Sequence, residues 1–144
     1  MSQTTLSSEA SRFDAAGAVS SFAPLAGRVL IAPLFLLSGI SKLAAPAATI
    51  GFIASSGLPL ASIGFALAVL VEIGGSLALI AGYRTRLVAA AMAVFTIAAA
   101  LAFHADLGDQ NQFIHFFKNI SIAGGLLQIV AFGAGRFSLD GRRR

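Results

Sequence analysis

From Leu60 to Gly82 the chain runs for 23 residues with a single charge, Glu72, in the middle. At about 1.5 Å of helical rise per residue, such a run crosses a bilayer core of roughly 30 Å. A carboxyl at that depth costs at least ~2.5 kcal/mol and persists only when paired, hydrated or protonated. The sequence therefore describes a membrane protein with polar work to do inside the membrane.

Composition narrows the choice. With 57% hydrophobic and 11% charged residues the chain is neither disordered nor fibrous, and its 144 residues suffice for one compact membrane domain. The net charge of +4 raises nucleic acid as a partner. No aromatic-basic interleaving and no soluble domain support that, so the expected partner is the lipid bilayer and not nucleic acid. The chain has no cysteine, which excludes an internal disulfide, a cysteine-ligated zinc and an iron–sulfur cluster. A redox role would need a bound organic cofactor, a haem or a partner protein.

The chain divides into three parts. Residues 1–24 read as a polar, mobile N-terminal tail with room for a short interfacial helix near its end. Residues 25–133 form a four-span membrane domain, with spans near Leu25–Ala45, Leu60–Gly82, Leu87–His104 and Phe113–Gly133. Residues 134–144 form a basic C-terminal tail, expected in the cytoplasm. Arg28 is expected to snorkel to the headgroups, and Pro33 to kink the first span. The stretch from Pro46 to Gly57 is too short to cross, and suits an interfacial or re-entrant helix between spans one and two. The fold class is all-α: an integral membrane four-helix bundle.

A rival reading exists for the first span. Arg28, the run Val29 to Leu37 and Ala45-Pro46-Ala47 together resemble a secretory signal with its cleavage site. The run is too long for that, Lys42 interrupts its end, and cleavage would strip the bundle of a face.

Four spans place both termini and the loop between spans two and three on one side. That side collects Arg12, Arg28, Arg84, Arg86, Arg136 and the three arginines 142–144, eight of the ten basic residues. The positive-inside rule puts it in the cytoplasm, leaving the loop with Asp106 and Asp109 outside.

Spacing shows which polar groups share a helix face. Ser38, Ser41 and Lys42 do so on span one, Glu72, Gly75 and Ser76 on span two, and His115, Lys118 and Asn119 on span four. Mutual facing keeps these stripes out of lipid. Plainer readings stand beside this one. Gly39, Gly74-Gly75 and Gly124-Gly125 serve as packing seams. Lys42 and Lys118 can snorkel, and His104 and His115 can contact headgroups or water. Glu72 reaches neither interface. Its partner is expected to be Lys118 first and Lys42 second, forming either a structural ion pair or a proton-accepting site.

Seven segments then carry a resemblance. They are Gly39-Ile40-Ser41-Lys42-Leu43, Ser56-Gly57-Leu58-Pro59, Val71-Glu72-Ile73-Gly74-Gly75, Gly82-Tyr83-Arg84-Thr85-Arg86, Phe103-His104, Phe117-Lys118-Asn119, and Gly135-Arg136-Phe137-Ser138-Leu139-Asp140. In this order, from Arg28 to Asp140, the chain resembles the DoxX family of small four-span bacterial membrane proteins. The resemblance implies a home in the bacterial cytoplasmic (inner) membrane. It also implies association with quinone-linked thiosulfate oxidation, thiol and oxidant defence, or tolerance of catechols and quinones. The family's polar signature falls on Lys42, Glu72, His104, Lys118 and Asn119, and transfers no proven catalytic role.

Two classes of function follow. In the first, the protein is an accessory or catalytic subunit of quinone-linked redox metabolism or oxidant defence, working with a redox partner protein. Glu72 and Lys118 are then the catalytic candidates, and Lys42, His104 and Asn119 bind the quinone, within walls from Phe35, Phe103 and Phe117 between spans one, two and four. In the second, it is a non-enzymatic scaffold or small-molecule carrier. Both leave a homo-oligomer open, and enzyme status undecided. A haem held by His104 and His115 is a third idea.

Overall fold

The computed structural model describes residues 3–143. Five helices carry the fold: α1 (Gln3–Ala44), α2 (Pro46–Ser55), α3 (Ala61–Ala81), α4 (Thr85–Phe103) and α5 (Gln110–Phe132). Four contain segments long and apolar enough to cross a membrane: Val19–Ala44 within α1, and the whole of α3, α4 and α5. Helix α2 is the short element between the first and second of these. The polar segment read as a tail is helical from Gln3 onward and continuous with the first span. Extending an existing helix avoids the cost of nucleation, and this Ala- and Ser-rich stretch has no proline before Pro24.

Turn chemistry sets the ends of the elements. Pro46 opens α2 at a position where its missing N–H would have had no partner. Asp109 caps α5 by accepting from the Gln112 backbone N–H at 2.9 Å. Within α3 the segment Leu70–Gly74 is a π-turn, and it carries Glu72. Such turns insert one extra residue into an α-helix and are frequent at functional sites.

Small residues let the helices approach closely, as membrane packing requires. The core joins Ala32 and Phe35 of α1, Leu79 of α3, Ala89, Met92 and Ala93 of α4, and Ala123, Leu126 and Ile129 of α5. A β-carbon on Gly39 would lie 2.6 Å from Ile73 Cγ1 and 3.1 Å from Glu72 Cβ, so α1 touches α3 beside the acid only because Gly39 has none. Leu30, Val94 and Phe132 point outward, where lipid would cover them.

The end of the bundle that holds the α3–α4 turn is locked by the C-terminal segment. Arg28 is fully buried, not snorkelled. Its guanidinium donates to the carbonyls of Leu79 (2.8 Å), Ile80 (2.9 Å) and Phe137 (2.6 Å), and its Nε to Pro24 O at 3.3 Å. These carbonyls outweigh the headgroups because the C-terminal segment folds back over the site. The backbone N–H groups of Leu139 and Asp140 donate to Ala81 O and Gly82 O. The Asp140 carboxylate accepts from the backbone N–H groups of Arg84 and Thr85 at 2.9 and 2.8 Å, capping α4 from a distant part of the chain. Gly82, at φ +69°, is where this strap crosses the turn; a β-carbon there would collide with Ser138 Cβ and lie 2.7 Å from Arg28 Nη1. The tail is thus a strap over residues 135–140.

Candidate functional site

At the other end the polar groups converge on a cavity of about 600 Å³, within the range of roughly 300–1,000 Å³ usual for small-molecule sites. Lys42, Glu72, His104, Lys118 and Asn119 all line it. Each helix contributes. One turn of α1 presents Ser38 and Lys42, the π-turn of α3 presents Glu72, the end of α4 His104, and the first half of α5 His115, Lys118 and Asn119. Helix α2 covers one side with Thr49, Phe52 and Ile53.

The deep end is a three-membered network. Lys42 Nζ donates to Glu72 Oε1 at 2.9 Å and to Ser38 Oγ at 2.8 Å, while the Ser38 hydroxyl donates to the same carboxylate oxygen at 3.2 Å. The Glu72 side chain is 6% exposed and that of Lys42 25%, so the acid is sunk and its partner reaches down to it. Glu72 Oε2 is buried with no hydrogen-bond partner among the described residues. The Ser76 hydroxyl donates to the Glu72 backbone carbonyl.

The partner of Glu72 is Lys42, where the sequence favours Lys118. Lys118 instead lies against His115, one helical turn back, its Nζ 2.8 Å from the ring Nδ1. An ammonium has no lone pair, so this contact requires an unprotonated His115 Nδ1 and puts the ring proton on Nε2. The His115 ring stacks on His104 at 5.0 Å with 23° between planes, and Gln112 Oε1 lies 2.8 Å from His104 Nδ1. Stacking turns the ring faces toward each other, which does not suit two axial ligands of one haem. The described residues contain no group of three or more His, Cys, Asp or Glu that could hold a metal ion.

The remaining walls are apolar and aromatic, with Phe35, Phe52, Phe95 and Phe103 among them. Phe52 and Phe103 stack at 5.4 Å, tying α2 to α4. Phe117 is not among the lining residues; its ring packs against Phe113 at a 49° tilt and is about half exposed. The cavity is not confined to spans one, two and four, since α4 contributes Phe95, Thr96 and Ala99 as well as His104. These α4 residues escaped the sequence reading because an Ala-rich helix carries little polar signal, although Thr96 in mid-span was a hint. The Thr96 hydroxyl donates to Met92 O at 2.7 Å. Asn119 lines the cavity, and its side-chain amide has no hydrogen-bond partner among the described residues.

Residues 23–105 match the family model described as DoxX. The chain is 35% identical over 118 residues to "Inner membrane protein YqjF" of Escherichia coli (strain K12), an overlap covering 81% of this chain and 88% of the relative. It is 30% identical over 124 residues to "Inner membrane protein YphA" of the same organism, covering 82% and 88%. No solved structure matches significantly.

Proposed function

The chain belongs to the DoxX family of integral membrane proteins, and we propose that its cavity binds a quinone or a similar small aromatic carbonyl compound. The observation that carries the reading is the cavity's composition: aromatic walls together with two polar groupings, Lys42–Ser38–Glu72 and His104–His115–Lys118, with one carboxylate oxygen of Glu72 buried and unpartnered among the described residues. An apolar pocket with a few convergent polar groups is the usual form of a small-molecule site. In this reading Lys118 and Asn119 donate to a ring carbonyl, and His104 and Lys42 hold the ring in place. Reduction of a quinone to its hydroquinone takes up two electrons and two protons. Glu72 relays one of these protons and water supplies the other. The chain has no cysteine to carry electrons, so they come from a redox partner protein. The site is thereby an accessory or catalytic part of quinone-linked redox metabolism or oxidant defence.

Menadione titrated against purified wild type and Lys118→Met tests the binding. Met keeps length and apolar bulk while removing the ammonium. A charged hydrogen bond worth about 1.5–3 kcal/mol predicts a Kd raised by roughly tenfold or more. Equal affinity in both proteins, or none in either, leaves the scaffold or small-molecule carrier as the better account.

The same reading places the protein in a bacterial inner membrane, as the names of its relatives suggest, with both termini and the Arg28 strap in the cytoplasm. The support is the eight-to-two split of basic residues. Reporter fusions after Arg144 and at Asp109 should report the cytoplasm and the exterior respectively. The same side for both would refute the arrangement.

A further inference from the structure

The strapped end of the bundle holds a second cavity, of about 640 Å³, with chemistry opposite to the first. Arg84, Arg86 and Arg136 line it beside the apolar side chains of Leu87 and Phe132. Among the described residues these three guanidinium groups have no ion pair or hydrogen bond. Asp140 lines the same cavity and accepts from the backbone N–H groups of Arg84 and Thr85, so one negative charge stands beside the three positive ones. The local backbone is shaped to bring the arginines together. Arg84 sits at φ +44°, a left-handed conformation that costs a non-glycine residue roughly 1–3 kcal/mol. Gly133, at φ +81°, leaves room for Arg86, whose Nε would lie 3.3 Å from a β-carbon at that position.

Topology alone asks only for positive charge on one side of the membrane. It does not ask for three arginines around one hollow, nor for a strained backbone to deliver one of them. Guanidinium forks match phosphate oxygens in pairs, and the flanking Leu87 and Phe132 are 64% and 78% exposed. We propose that this cavity binds a phosphate group, carried by an anionic phospholipid or by free inorganic phosphate. The headgroup of such a lipid would sit among the arginines, and its acyl chain beside Leu87 and Phe132. This site is independent of the quinone reading.

The test compares wild type with Arg86→Gln/Arg136→Gln in detergent. Native mass spectrometry measures retention of phosphatidylglycerol against phosphatidylcholine, and thermal unfolding measures the response to inorganic phosphate against chloride at matched ionic strength. A preference for phosphatidylglycerol that falls at least about tenfold in the variant identifies the lipid as the source. Absence of a lipid preference, with phosphate raising the wild-type Tm and not the variant's, identifies free phosphate. No preference and no phosphate response, or responses unchanged in the variant, overturns the proposal. Should the double variant not fold, Arg136→Gln on the exposed strap takes its place in the same comparison, read by the same outcomes.

Discussion

Arg28→Met should release the C-terminal strap and cost about 3 kcal/mol of stability. Arg28 joins three parts of the chain: the first span, the last turn of α3 through Leu79 and Ile80, and the strap through Phe137. Met fills much of the same volume but donates nothing. It removes the guanidinium donor from the carbonyls of Ile80 and Phe137, at roughly 1–3 kcal/mol for each group that stays buried, while Leu79 O keeps the Gly82 backbone N–H. Removing a fully buried charge offsets part of this, which is why the expected net cost is below the sum. Chymotrypsin after Phe137 reads the strap directly. That ring is about half exposed and stacks on Phe22 at 4.8 Å, but its carbonyl is held by Arg28. The variant should be cut faster than wild type and unfold at lower temperature. Arg28→Lys keeps the positive charge that membrane insertion reads, yet its one nitrogen replaces the three of the guanidinium fork, so it should recover only part of the loss. Unchanged cleavage and unchanged Tm in Arg28→Met would show that the strap stands without its clamp.

The fate of Arg28 also shows what a sequence conceals. An arginine near the end of a span reads as a snorkelling side chain, and its real partners are main-chain carbonyls, which every residue has and which leave no mark in the residue pattern. The four spans were legible because charges are excluded from long apolar runs. Lys42, Glu72, His104, Lys118 and Asn119 stood out for the same reason, and the fold gathers all five around one cavity. Which lysine meets Glu72 was not legible. Depth along a helix follows from the rise per residue, but rotation depends on an unbroken 3.6-residue period, and the π-turn at Leu70–Gly74 breaks that period at the acid itself. Gly39 held the better clue. With no β-carbon it lets α1 approach α3 beside Glu72, and this brings Lys42, three residues further on, within reach.

That proximity leads to the second large effect. Lys42→Met should destabilise the protein by about 3–5 kcal/mol, because it leaves a charged carboxylate in mid-membrane with only the Ser38 hydroxyl on Oε1. Glu72→Gln alone should be milder. It keeps the shape, and Lys42, a quarter exposed, can turn its ammonium toward water. The double variant Lys42→Met/Glu72→Gln removes the stranded charge and should be more stable than Lys42→Met, with a coupling of at least about 2 kcal/mol in the cycle. Reversible unfolding of the four proteins in one detergent measures it. Strictly additive effects would mean that the contact is incidental and that lipid or water, not Lys42, compensates Glu72. A strong coupling combined with unchanged menadione affinity in Glu72→Gln would divide the roles: Lys42–Glu72 would hold the bundle, and the histidine end of the cavity would hold the ligand. Coupling together with weakened binding would instead make the buried acid part of the site.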